Sequence, residues 1–235
     1  GNAYRIGVTG PPGVGKSSLT NNLISAYRKK ENNVAVIAVD PTSPFSGGAV
    51  LGDRIRMTTH YSDPNVFIRS MATRGGQGGL IQKAQEVGEI FDAAGFDIII
   101  YETVGVGQIE LDVIQITDTV VVVLVPESGD EVQMLKAGLM EIGNIFSINK
   151  ADRSGAERTV SEIEGMLALR EFKEDAWSPP VLKTQATTGE GVSELLETVN
   201  RFSKESSESQ ERRRERVHFR LTELLQYTFI QRLEK

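Results

Sequence analysis

The sequence predicts an α/β protein, an open and mostly parallel sheet with helices on both faces, followed by a C-terminal helical arm. Three observations predict it. Short apolar runs alternate with helical periodicities along most of the chain. Two of those runs, VAVIAV and TVVVVLV, are almost continuously apolar, as parallel strands covered on both faces are. The first run passes through a glycine-rich loop straight into a helix.

The elements follow in order. Residues 4–9 form the first strand. Residues 17–29 are helical, with Leu19, Leu23, Ile24 and Tyr27 on one side. Residues 34–39 are the second strand, and a loop rich in Pro, Ser and Gly covers 41–52. Residues 78–94 are helical, 97–101 the third strand and 119–125 the fourth. A helix at 131–142 leads to a fifth strand at 145–148. A helix at 156–169, a sixth strand at 180–183 and a helix at 192–202 complete the pattern. The predicted units are a nucleotide-binding domain at 1–202 and a helical extension at 203–235. The extension opens on SKESSESQERRRER, read as a linker or a solvated first turn. Val217, Leu221, Leu224, Leu225 and Leu233 then recur at helical spacing. That helix either lies back on its own domain or serves as a dimerisation arm.

The bulk numbers narrow the chemistry. Among 235 residues there is no cysteine, which excludes disulfides, thiolate metal sites and cysteine nucleophiles. A net charge of −6 gives no reason to expect nucleic acid or an anionic membrane as partner. No apolar run reaches membrane-spanning length and no signal peptide opens the chain, so a cytoplasmic protein is expected. The first residue is glycine rather than methionine. His60 and His218 are far apart and read as surface residues, and Trp177 reads as a packing residue.

Residues 10–17 read GPPGVGKS, that is Gly10, Pro11, Pro12, Gly13, Val14, Gly15, Lys16 and Ser17, with Ser18 following. This matches G-x-x-x-x-G-K-[ST] between a strand and a helix, the phosphate-binding P-loop. Its glycines let backbone N–H groups approach an anion at a helix N-terminus. Lys16 supplies charge near the outer phosphates, and the Ser17 hydroxyl suits Mg2+. Residues 148–152 read INKAD. N-K-x-D after an apolar strand is the guanine signature of P-loop GTPases, which points to GTP and GDP as ligands. A carboxylate at Asp152 accepts from guanine N1–H and its exocyclic amine, whereas adenine presents an acceptor there. Asn149 holds the loop, and the Lys150 stem covers the ring. A second base loop is expected after the next strand, at Gln185, Ala186 and Thr187, with the Ala186 N–H toward guanine O6.

Asp40 ends the second strand, Glu102 ends the third, and Asp53 follows a glycine loop. The C-terminal ends of parallel strands gather at one rim, so Asp40 and Glu102 are expected to face the Mg2+ of the P-loop. Glu102 is one methylene longer than aspartate and reaches a metal-bound or nucleophilic water from further back. Gly105 and Gly107 give the following loop freedom to close on a γ-phosphate. Gln108 is a candidate for orienting water, although its spacing from Gly105 is not Ras-like. Arg54, Arg56, Arg74 and Lys136 are candidates for offsetting transition-state charge, with Arg56 and Arg74 reading more simply as surface cations.

Taken together, VTGPPGVGKSSL, AVDPTSPFSGGAVLGDR, SMATRGG, AAGFDIIIYETVGVGQ, GDEVQMLKAGLMEI and NKAD resemble the MeaB/ArgK family over nearly the whole chain. These are SIMIBI-class G-protein chaperones of adenosylcobalamin-dependent methylmalonyl-CoA mutase. The resemblance implies Mg2+-dependent GTP hydrolysis coupled to loading and protection of the B12 cofactor of an acyl-CoA mutase. It places the metal role on Ser17, Asp40, Asp53 and Glu102. It makes 128–136 a switch loop that contacts the mutase, and the C-terminal helix the arm of a homodimer. Ile109 and Gln185 depart from the usual pattern, and relatives carry a helical N-terminal extension. Two other readings compete: a nickel-insertion metallochaperone GTPase, which needs Cys or His clusters, and an ATP-dependent kinase of an amino-acid transport system, which needs an adenine pocket.

Overall fold

The computed structural model of the chain describes residues 2–40, 58–72, 78–103, 113–126, 138–170 and 176–233. Its strands are β1 (Tyr4–Thr9), β2 (Val34–Asp40), β3 (Val66–Ala72), β4 (Ile98–Thr103), β5 (Thr119–Leu124), β6 (Ile145–Ile148) and β7 (Val181–Lys183). Its main helices are α1 (Lys16–Arg28), α2 (Gly78–Ala93), α3 (Ala156–Ala168), α4 (Val192–Glu205) and α5 (Ser207–Leu233). The strands form one seven-stranded sheet in the order β3-β2-β4-β1-β5-β6-β7, and every neighbouring pair is parallel.

The continuous apolar runs become the central strands, and the pleat divides their residues between two layers. Ile6, Val8, Val34, Val36, Ile98, Ile100, Val121 and Val123 pack with Leu19, Leu23, Ile24 and Tyr27 of α1 and Leu195 and Val199 of α4. On the opposite face Ile37, Val39, Ile99 and Tyr101 meet Leu80, Ala84 and Phe91 of α2. Further along it, Val120, Val122, Phe146 and Ile148 meet Ile163 and Leu167 of α3.

The sequence reading assigns no element to 66–72, yet β3 is an edge strand there, paired with β2 from Val34↔Val66 to Asp40↔Ala72. VFIRSMA carries an arginine and a serine, and none of its described side chains is fully buried, so it lacks the continuous apolar signal of the inner strands. His60 is a second difference. It lies in a 3-10 turn (Thr58–His60) and is buried at 8% exposure. Its Nε2 lies 3.2 Å from Asn21 O and 3.4 Å from Ser25 Oγ, both on α1. His218 is exposed. Trp177 packs edge-on against Phe202 at 5.0 Å and donates from Nε1 to Asn144 O at 2.8 Å.

The polar run after residue 203 is helix rather than linker. α4 continues to Glu205, Ser206 breaks it in extended backbone, and α5 starts at Ser207. The face that α5 turns to the sheet is polar, which hides it from a search for apolar periodicity. Ser209 Oγ lies 3.3 Å from Tyr4 OH. Arg212 Nη2 donates to Ile142 O at 3.3 Å. Arg216 Nη2 pairs with buried Asp118 at 3.0 Å, and Arg220 Nε with Glu89 of α2 at 3.0 Å. Asp118 also accepts from Arg5 N at 2.9 Å. Val217, Leu221 and Leu225 line a different side of α5 and are exposed.

Candidate functional site

Because the sheet is parallel, the loops after β1, β4, β6 and β7 emerge at one rim. The loop after β1 is the glycine-rich segment. Gly10 has φ +139°, and a Cβ there would lie 2.1 Å from Val123 O of the neighbouring strand. The first turn of the loop therefore accepts glycine alone. Gly15 stands immediately before α1 with φ +96° and provides no side-chain cap. No acid lies in the first turn of α1. The N–H groups of that turn, together with the positive end of the helix dipole, thus form an anion-facing surface.

Lys16 and Ser17 are both buried on the first turn of α1. Lys16 Nζ donates to Gly10 O at 2.6 Å and Pro11 O at 2.8 Å, folding the side chain over the loop. Ser17 Oγ donates to Glu102 Oε1 at 2.5 Å. The pleat explains this contact: Glu102 shares a face with Ile98 and Ile100, the face that α1 covers. Glu102 is 5% exposed and sits between Val8 of β1 and Ala38 of β2 in the sheet register. On the opposite face, Thr103 Oγ1 donates to Thr9 Oγ1 at 3.1 Å and ties the ends of β4 and β1. Asp40 ends β2, paired with Ala72, one strand away from β4; its side chain lies outside the described residues. Asp53, Gln108 and Lys136 lie outside them too, as do Arg54, Arg56 and Arg74.

The base-side motif reaches the same loop from across the sheet. Asn149 Nδ2 donates to Val14 O at 2.8 Å. A Cβ on Gly15 would lie 2.5 Å from that nitrogen, so glycine at 15 opens the path for the bond. Lys150 adopts left-handed backbone, φ 57°, uncommon for a side-chain-bearing residue. Its Nζ donates to Gly13 O at 2.8 Å, so the stem bridges the two loops. Asp152 is exposed in the turn that follows, where Arg153 N donates to Lys150 O at 3.0 Å.

Gln185, Ala186 and Thr187 form a compact loop after β7. Gln185 N donates to Glu190 O at 3.0 Å and Gly189 N to Gln185 O at 2.8 Å. The Ala186 N–H, expected toward guanine O6, donates to Asn149 Oδ1 at 3.0 Å. Two further contacts belong to no motif. Thr184 and Ser147 share a 2.8 Å hydroxyl bond behind Asn149, and Asn22 of α1 donates to Ala186 O at 2.7 Å. Single polar residues inside strands and helices carry no pattern signal. Among the described residues no group of three or more His, Cys, Asp or Glu is placed to hold a metal.

The family described as methylmalonyl-CoA mutase-associated GTPase MeaB matches residues 1–235. A Pyrococcus horikoshii protein, named for GTPase activity and nothing finer, is 54% identical over 222 residues, 92% of this chain and 70% of its own length. The mouse protein named methylmalonic aciduria type A homolog, mitochondrial, is 37% identical over 202 residues. That match spans 85% of this chain and 49% of the mouse protein, about half its length. The crystal structure of a LAO/AO transport system kinase superposes with a TM-score of 0.74 at 28% identity, covering 99% of this chain and 70% of that one. The phosphate loop and the base-side motif meet at one rim of a parallel sheet, as an enzyme that hydrolyses GTP to GDP and phosphate requires, and the chain belongs to the MeaB family of methylmalonyl-CoA mutase-associated GTPases.

Proposed function

We propose that this GTPase is a chaperone for an adenosylcobalamin-dependent acyl-CoA mutase, methylmalonyl-CoA mutase above all, and couples GTP hydrolysis to loading and protection of the B12 cofactor. The family description and the name of the mouse relative support the mutase link. The observation that carries the coupling is the 2.5 Å contact between Ser17 Oγ and Glu102 Oε1. It joins the phosphate-side helix to the strand whose continuation, 104–112, would sense the γ-phosphate.

In this reading residues 10–18 cradle the phosphates, and Lys16 swings from its carbonyls to the outer oxygens. Asn149, Lys150 and Asp152 hold guanine with the 185–187 loop. Ser17 and Glu102 offer a hydroxyl and a carboxylate oxygen side by side, a hard donor set that fits Mg2+. Asp40 and Asp53 complete the acidic set. Bound there, the ion would neutralise charge on the phosphates. Gln108 and Lys136 are assigned to water orientation and charge stabilisation. The phosphate and base domain is 1–202, and the helix from 203 onward is a dimerisation arm, supported by the exposed row Val217, Leu221 and Leu225. No described helix is long and apolar enough to cross a membrane, and the proposed setting is the cytoplasm.

The test is retention of a purified B12-dependent mutase on the immobilised GTPase with GDP, a non-hydrolysable GTP analogue or no nucleotide. Nucleotide-dependent retention is expected, together with slower inactivation of the mutase during turnover. A mutase neither retained nor protected under any condition would overturn the chaperone reading and leave the GTPase intact.

A further inference from the structure

Asn22 lies on α1, five residues beyond Ser17, and belongs to no motif. Asparagine is unfavourable inside helices because its amide competes for local backbone groups. Here the amide works at long range instead, donating from Nδ2 to Ala186 O at 2.7 Å across 164 positions of sequence. Ala186 is tied on its other side as well. Its N–H donates to Asn149 Oδ1, while Asn149 Nδ2 donates to Val14 O. Asn149 Oδ1 also accepts from Thr184 Oγ1 at 3.3 Å, and Thr184 is bonded to Ser147. The 185–187 loop is thus tied to the phosphate loop through Asn149 and to the phosphate-side helix through Asn22.

The two ties do different things. The Ala186 carbonyl and the Thr187 N–H share one planar trans peptide, in which they point in opposite directions. Holding the carbonyl on α1 aims the Thr187 N–H away from α1. The Asn149 tie acts on the preceding peptide and leaves this one unconstrained.

We propose that Asn22 is a specificity-determining positioning residue. By fixing the Ala186–Thr187 peptide to the helix that the phosphate loop opens, it sets the Thr187 N–H, the loop donor that Asn149 does not engage, against the 6-position edge of the purine. The proposal rests on the guanine-site reading above. Asn22 acts on the nucleotide through the loop and not by direct contact.

The test compares Asn22→Ala and Asn22→Asp with the unmutated protein, using GDP, 6-thio-GDP and IDP in calorimetry and GTP in steady-state kinetics. The GDP-to-6-thio-GDP ratio reads the 6-edge; the GDP-to-IDP ratio reads the 2-amino contact at Asp152. Loss of one hydrogen bond should weaken GDP binding roughly fivefold in Asn22→Ala. The aspartate has no donor for the carbonyl and should be weaker still. The 6-edge ratio should collapse toward one while the 2-amino ratio holds, and KM rather than kcat should take the loss. A merely structural role would lower both ratios together, or neither, and would overturn the proposal. If the unmutated protein fails to discriminate GDP from IDP, the guanine-site reading falls first. If it discriminates and both variants keep the 6-edge ratio, the Asn22 assignment alone falls.

Discussion

The Ser17 hydroxyl donates to Glu102 Oε1 at 2.5 Å, so the first turn of α1 and the end of the buried strand β4 share one proton contact. Ordinary strand pleating produces it, because Glu102 inherits the face of Ile98 and Ile100. The Glu102 carboxyl is thereby held, with the residue 5% exposed, within reach of the phosphate loop.

Glu102→Gln keeps the size and removes the charge. Single-turnover GTP hydrolysis should fall at least tenfold, only about 1.4 kcal/mol of transition-state stabilisation. GDP affinity should change little, since GDP depends less on the γ-phosphate side. Coupling to the mutase should fall as well. Unchanged hydrolysis would reduce Glu102 to an acid that caps Ser17.

Lys16→Ala and Ser17→Ala should both lose hydrolysis, for separable reasons. In the proposed reading Lys16 carries charge to the phosphates, whereas Ser17 offers Mg2+ an oxygen. Titrating Mg2+ into each variant tells them apart: activity of Ser17→Ala should partly recover and that of Lys16→Ala should not. Identical insensitivity would count against Ser17 as a ligand.

Tyr101 predicts an alkaline instability. Burial pushes its phenol up to about 12, against smaller opposing effects of Arg5 and Arg216. Below pH 10 both folded and unfolded chains keep the proton. Between about pH 10 and 12 the unfolded chain releases it first, so stability falls by an amount on the order of 2–3 kcal/mol. Burial raises Tyr27 as well. In urea titrations from pH 7 to 11.5, Tyr101→Phe should flatten this decline without abolishing it. Because the Tyr101 hydroxyl is buried and finds no hydrogen-bond partner among the described residues, the variant should be no less stable at pH 7. A steeper alkaline decline in Tyr101→Phe would contradict the assignment.

The arm makes a prediction about assembly. Leu221 and Leu225 lie one turn apart on the exposed side of α5, while Arg216 and Arg220 hold its other side to the domain. A Leu221→Glu, Leu225→Glu variant should elute as a folded monomer under conditions where the parent is a dimer. Light scattering gives the mass, and circular dichroism checks the helix. A variant that remains dimeric would place the interface elsewhere.

By itself the sequence determined the α/β class, the order of the inner elements and the two motifs, GPPGVGKS and NKAD, whose loops the sheet brings to one rim. Those features are local: GPPGVGKS needs glycine at set positions, NKAD presents its carboxylate within four residues, and VAVIAV announces a strand buried on both faces. Tertiary structure alone decided the rest. β3 is recognisable as a strand by its pairing with β2, since an edge strand exposes half its side chains. The polar stretch after residue 203 is a helix because Asp118, Glu89 and the Ile142 carbonyl of the domain receive its arginines. Asn22 and Ala186 meet across 164 positions because α1 and the β7 loop converge at one rim. Periodicity records which residues avoid water; which polar groups find one another depends on how distant segments are brought together.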